Sequence, residues 1–210
     1  MTTLLAAALL VPQASVKYWT LDDFTVAPFS VTLVGGQQDD RSYLNLPLTH
    51  CAFGQRRTRI DLVSNPLQAT VVYSIGDHMQ TVTATNEAVS WNQWLMFGDS
   101  GTMDIDLSSV DRFFLDCDQF PDLAQIYVRD KWGKDAANGG WLLKPGGFYF
   151  QKVAFAGSVD WKHIVYLQYN QRFLPSPNPQ SYTVTRFYAS LKPGSSPPAS
   201  KVVGTPSNGG

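Results

Sequence analysis

Ser109-Val110-Asp111 runs directly into Arg112-Phe113-Phe114-Leu115-Asp116-Cys117, and the same opening returns at Ser158-Val159-Asp160 before Trp161-Lys162-His163-Ile164-Val165-Tyr166-Leu167-Gln168-Tyr169. A small polar turn ending in Asp, followed by aromatic and β-branched residues, is how a chain passes from a loop into a strand. The phrase occurs twice in a chain already full of short runs of that kind. Ser30 to Val34 stops at Gly35-Gly36, Tyr43 to Leu48 follows, and Arg59 to Val63 stops at Ser64-Asn65-Pro66. Thr70 to Ile75 and His78 to Thr83 flank Gly76-Asp77, which predicts a hairpin with a two-residue loop.

Two runs alternate cleanly. Phe113, Leu115 and Cys117 share one side of Arg112 to Cys117. Ala124, Ile126 and Val128 oppose Gln125, Tyr127 and Arg129 in Leu123 to Arg129. Period-two alternation with one polar face marks antiparallel strands half open to water. Helical periodicity is confined to Leu4 to Val11. Roughly ten strands at short, regular spacing predict an all-β fold, an antiparallel two-sheet β-sandwich of jelly-roll type. It spans residues 16–191 as one domain, and 44% hydrophobic content is enough for a full core.

Charge narrows the function classes. Charged residues make up 16% of the 210, against about 25% in ordinary domains. The net charge is −1, without the basic patch or stripe a nucleic-acid binder shows. Arg56-Arg57-Thr58-Arg59 reads as a solvated strand face with ion pairs. Aromatics reach 13%, with six Trp and nine Tyr, and with low charge this is the profile of a secreted or assembling β-protein.

Residues 1–15 hold the apolar run Leu4 to Val11, then Pro12-Gln13-Ala14-Ser15. The run suits a signal peptide or an N-terminal arm, although no Lys or Arg precedes it. It is too short to span a bilayer, which takes about 20 residues. A secreted or cell-surface protein is the expectation. Cys51 and Cys117 each end an alternating run, and two readings stay open: a disulfide favoured by export, or two buried free thiols. Residues 192–210, rich in Pro, Ser and Gly, read as a linker or tether.

Leu21-Asp22-Asp23-Phe24, Val34-Gly35-Gly36-Gln37 and the Ser-Val-Asp phrases resemble the galactose-binding-like jelly rolls. More narrowly they resemble the complex I intermediate-associated protein family and related uncharacterised secreted bacterial β-sandwich proteins. The resemblance covers about a third of the chain in short phrases. It implies a carbohydrate-binding or adhesive module, with a structural calcium ion for which Asp22 and Asp23 are the candidate ligands. Gln125-Ile126-Tyr127 and Lys144 to Gln151 also resemble two strand motifs of jelly-roll alginate lyases, with Tyr127 standing where those enzymes place a His.

The sequence holds no nucleophile elbow, phosphate loop or His-Glu metal helix. Asp104, Asp106, Asp111, Asp116, Asp118 and Asp122 crowd the middle, and Asp104 and Asp106 would share a strand face. They read either as cation ligands or as residues guarding strand edges. The binding-site candidate is Arg129, Asp130, Lys131, Trp132, Asn138 and Trp141, in a stretch too polar and Gly-rich to be a strand, which reads as a loop carrying two Trp. An aromatic platform beside charged and amide groups suits a sugar, whereas the competing reading has both Trp capping the core. Trp91 and Trp94 read as core or as an assembly surface. The expectation is a secreted, non-catalytic module binding polysaccharide or extracellular matrix. Its alternatives are a self-assembling structural subunit using the N-terminal segment as an arm, and a polysaccharide-active enzyme such as a lyase.

Overall fold

The computed structural model describes residues 15–98, 103–119, 121–140 and 147–199. In chain order the first strands are β1 (Tyr18–Asp22), β2 (Phe29–Leu33), β3 (Gln38–Leu44), β4 (Gln55–Ser64), β5 (Val71–Gly76), β6 (Met79–Ala84) and β7 (Ser90–Phe97). Then come β8 (Val110–Cys117), β9 (Leu123–Asp130), β10 (Asp135–Gly140), β11 (Phe148–Gln151), β12 (Ala156–Gly157), β13 (Ile164–Phe173) and β14 (Ser181–Leu191). A 3₁₀ turn at Lys152–Ala154 is the only helical element among the described residues.

The strands form two seven-stranded sheets, every ladder antiparallel. The first sheet runs β11-β8-β14-β6-β5-β2, with β1 also paired to β14; the second runs β12-β10-β9-β13-β7-β4-β3. β14 is long enough to hold β6 along its first half and β1 along its second. Hairpins stay within a sheet only at β3–β4, β5–β6 and β9–β10. From β1 to β2 and from β12 to β13 the chain returns to the same sheet at a non-neighbouring position; at every other connection it crosses between sheets, and the last two strands insert between earlier ones. β13 lies between β9 and β7, and β14 lies between β8 and β6. This interleaving is the jelly-roll type of sandwich read from the sequence.

The inward faces meet in a core rich in aromatics. Trp91 stacks on Phe173 with ring centroids 4.7 Å apart, and Phe97 stacks on Phe187 at 6.0 Å. Each fully buried side chain of this size contributes about 1.5–3 kcal/mol. Phe113, Leu115, Cys117, Ala124, Ile126 and Val128 are all buried, so the alternation read in β8 and β9 is what points them inward.

Three readings need correction. The hairpin loop is Asp77-His78, one residue later than predicted, because Gly76 still pairs with Met79. Both loop residues have positive φ, 49° and 62°, the twist that a two-residue hairpin loop requires. The run placed at Tyr43 to Leu48 is the strand Gln38–Leu44. Its Asp39-Asp40-Arg41 core reads as loop, but on an edge strand such charges block further pairing. Finally, the two Ser-Val-Asp phrases differ: Val110 already begins β8, whereas Asp160 caps a turn by accepting the Lys162 N–H at 2.9 Å, and β13 starts only at Ile164.

The basic cluster also splits by strand parity. Arg57 and Arg59 face outward and pair with Asp40 and Asp61 at 2.7 and 2.8 Å. Arg56 faces inward and is buried. No helix among the described residues is long and apolar enough to cross a membrane. The predicted N-terminal segment, apart from Ser15, and residues 200–210 of the tail lie outside the described residues.

Candidate functional site

The outward face of the second sheet follows from the same parity that builds the core. With Ala124, Ile126 and Val128 turned in, Gln125, Tyr127 and Arg129 of β9 turn out. Paired residues on neighbouring antiparallel strands share a face. Gln168 stands opposite Tyr127 and Asn170 opposite Gln125 on β13. The row continues to Trp94 of β7, opposite Asn170, and to Arg59 of β4, opposite Trp94. On the other side the partners are small: Ala137 opposite Tyr127 and Gly139 opposite Gln125.

On the β13 side of β9 the outer face holds an open groove of about 510 Å³ lined by Gly98, Gln125, Tyr127, Arg129, Val165, Tyr166 and Gln168. That volume lies within the roughly 300–1,000 Å³ of small-ligand clefts. Gly98 has φ 89°, and a Cβ there would sit 2.0 Å from the Val165 carbonyl oxygen. Only glycine lets β7 end beside β13 at this point.

The groove's polar groups are held in place. Arg129 Nε donates to Asp135 Oδ1 at 2.7 Å, and Arg129 Nη2 donates to the Tyr127 hydroxyl at 2.7 Å. The Tyr166 hydroxyl donates to Gln168 Oε1 at 2.7 Å. Tyr127 and Tyr166 meet edge to face with centroids 5.9 Å apart. Burial and a hydrogen bond to Asp135 push the Tyr127 phenol up, so it stays protonated at neutral pH. Its hydrogen bond from Arg129 holds the Asp135 carboxyl below the usual carboxylate range. No histidine lines the groove, so the lyase motif's missing imidazole is not supplied there by another strand.

The residues singled out from the sequence do not converge on one loop. Arg129 belongs to the groove. Asp135–Gly140, taken for loop because of its glycines, is strand β10. Asn138 is opposite Ile126 on the inward side, and its Nδ2 donates to the Gln151 carbonyl of the other sheet at 3.1 Å. Trp141 lies outside the described residues. Asp130 is buried and organises the β9–β10 turn: Oδ1 accepts the N–H groups of Trp132 and Lys134, each at 2.9 Å, and Oδ2 accepts that of Asp160 at 3.0 Å. Its oxygens serve the backbone rather than a ligand.

Trp132 stays 58% exposed at the tip of that turn. Its ring carries the Lys131 ammonium at 4.6 Å and meets His163 edge to face at 5.4 Å. It lines a second hollow of about 490 Å³ with Asp130, Lys134, Ser158, Val159 and Asp160. Trp132 therefore does not cap the core. Trp91 is core, and Trp94 lies on the outer face with the Arg59 guanidinium 5.5 Å above its ring.

Asp22 and Asp23 take different partners. Both oxygens of the buried Asp22 accept from Arg56 Nη1, at 2.8 and 3.0 Å, and Oδ1 also accepts the Phe24 N–H at 2.9 Å. A guanidinium occupies the place the sequence reading gave to a cation. Asp23 accepts from Thr25 and pairs with His50 Nδ1 at 2.8 Å. No cluster of three or more His, Cys, Asp or Glu suited to a metal occurs among the described residues. Asp104 pairs with His163 at 3.1 Å, whereas Asp106 accepts the Ser108 N–H at 2.8 Å, so these two carboxylates do not join at one ligand.

Cys51 and Cys117 are free and buried, so the bridge weighed from the sequence is not formed. Cys51 Sγ donates to the Gln55 carbonyl at 3.3 Å, while Cys117 stands opposite Val184 of β14. Burial pushes the Cys51 thiol far up and the Cys117 thiol to about 12. Neither is a thiolate at neutral pH.

No protein-family model matches the sequence, and no curated protein matches it. Among solved structures the chain is similar to the family 11 carbohydrate-binding module of a cellulosomal cellulase of Clostridium thermocellum, at 10% identity and a TM-score of 0.39, covering 83% of this chain and 95% of that one. It is also similar to the enzymatically active domain of tailspike protein 4 of bacteriophage CBA120, at 10% identity and a TM-score of 0.32. That match covers 77% of this chain and 19% of the tailspike chain.

Proposed function

We propose that this protein is a carbohydrate-binding β-sandwich module that takes a polysaccharide on the outer face of its second sheet, over β9 and β13. The groove of Tyr127, Tyr166, Gln125, Gln168 and Arg129 carries the reading. A pyranose has an apolar C–H face and a rim of hydroxyls. Tyrosine rings offer the first a flat surface, and primary amides offer the second a donor and an acceptor each. These groups stand on strands rather than on loops, which fixes their spacing before a ligand arrives. The exposed Trp132 lines the separate hollow at the β9–β10 turn and is not part of this groove.

A module of this kind acts outside the cell, at the surface or in the matrix. Affinity electrophoresis through gels containing soluble polysaccharides tests the reading. Retardation by at least one polymer, lost in Tyr127→Ala and Tyr166→Ala proteins that remain folded, supports it. Free migration through every polymer of a broad panel overturns it.

A further inference from the structure

We infer that the polysaccharide bound at this face is uncharged, an inference that rests on the reading of the groove as a carbohydrate site. Among the described residues, Arg129 is the only charged one lining the groove. Its guanidinium is already committed: Nε to Asp135 and Nη2 to the Tyr127 hydroxyl, both at 2.7 Å. The carboxyl of Asp135 is held below its ordinary range by that contact, so it is an anion at neutral pH. A uronate brought to Arg129 would have to displace Asp135 and then sit beside its negative charge. Both side chains are partly exposed, so the pair itself is weak, and what disfavours a uronate is the like charge of Asp135 beside it.

The rest of the face repeats the pattern. Arg59 pairs with Asp61 at 2.8 Å and Arg57 with Asp40 at 2.7 Å. Cation and anion balance one another across β4 and its neighbours. Lys131 and Lys134 have no ion-pair partner among the described residues, but the Lys131 ammonium rests on the Trp132 ring and Lys134 lines the second hollow, not the groove. Arg172, likewise unpaired among the described residues, lies four residues beyond Gln168 along β13. At about 3.3 Å per residue that is roughly 13 Å, outside the Debye length of about 8 Å at physiological salt. What the described residues of the groove offer a ligand is thus tyrosine rings, neutral amides of Gln125 and Gln168, and a guanidinium whose charge is balanced by Asp135. Those groups fit the hydroxyls of a neutral glucan, xylan or mannan.

The test compares gels containing neutral polymers (mixed-linkage β-glucan, xylan, galactomannan) with gels containing uronate polymers (alginate, polygalacturonate), each at low and high salt. The wild-type protein is expected to be retarded by a neutral polymer, equally at both salt concentrations, and to pass the uronates freely. The Asp135→Asn protein, its fold checked by circular dichroism, releases Arg129 and is expected to gain salt-sensitive retention on a uronate polymer of at least about tenfold. Wild-type retention on uronates, abolished by salt, overturns the inference while leaving a carbohydrate site in place. An Asp135→Asn protein that still ignores uronates also overturns it, since Asp135 is then not what excludes them. Failure of every polymer to retard the wild type would instead remove the carbohydrate reading itself.

Discussion

Arg56 Nη1 donates to both carboxylate oxygens of Asp22, at 2.8 and 3.0 Å, and both side chains are sealed from solvent. Arg56 Nη2 also donates to the Val26 carbonyl. The pair ties the end of β1 and the following loop to the start of β4. Removing one member leaves the other buried and unpaired, which costs about 3–5 kcal/mol. An Arg56→Met protein is expected to lose that much stability in urea denaturation. The double change Asp22→Asn, Arg56→Met should recover part of the loss, because no unpaired charge remains.

Gly98 and Gly133 separate backbone strain from collision. Both have positive φ, 89° and 78°, but a Cβ at Gly98 meets Val165 oxygen at 2.0 Å while one at Gly133 meets nothing within 4 Å. Gly133→Ala should cost about 1–2 kcal/mol, the left-handed penalty alone. Gly98→Ala should cost clearly more in the same denaturation assay and distort the groove's end. Equal costs would mean that β7 and β13 part easily there.

Acid should weaken the β9–β10 turn in a defined direction. Burial pushes the Asp130 carboxyl up, but the N–H groups of Asp160, Lys134 and Trp132 pull it further down, below its ordinary 3.8. A carboxyl with a lower pKa folded than unfolded stabilises above the unfolded value and loses that contribution as pH falls through the folded one. The stability difference between wild type and Asp130→Asn should therefore be constant from neutrality to about pH 4. It should shrink steadily below 3.8. Urea midpoints across that range check it.

Both thiols should be silent in the native protein. Cys51 and Cys117 are buried, with their thiols raised by burial. A chromogenic disulfide reagent at neutral pH should label neither until denaturant is added, and then both. Reductant should leave the unfolding curve unchanged. An intact mass lacking both thiol protons would contradict the free state.

The sandwich was legible because strand parity is written in side chains. Phe113, Leu115 and Cys117 in β8, and Ala124, Ile126 and Val128 in β9, alternate so regularly that the inward faces follow directly. The same parity marked Gln125, Tyr127 and Arg129 as outward, which was the available signal for the groove. What hid it was partnership: Tyr166 and Gln168 stand beside Tyr127 and Arg129 only through the β9–β13 ladder, about forty residues apart in a topology that places late strands between early ones. The glycines of Asp135–Gly140 misled for a physical reason as well. They lower strand propensity, yet Gly139 sits in strand register with Gln125, whose side chain lies close against it. Asp22 looked like a cation ligand because no local pattern announces Arg56, thirty-four residues away, as its buried counter-charge.

The central claim is that the outer face of β9 and β13 holds a polysaccharide. The most direct measurement is affinity electrophoresis of wild-type, Tyr127→Ala and Tyr166→Ala proteins on one neutral polymer that retards the wild type. Each substitution is expected to weaken retention by about tenfold, about 1.4 kcal/mol, with circular dichroism unchanged. Retention untouched by both substitutions would place the binding surface elsewhere and contradict the account.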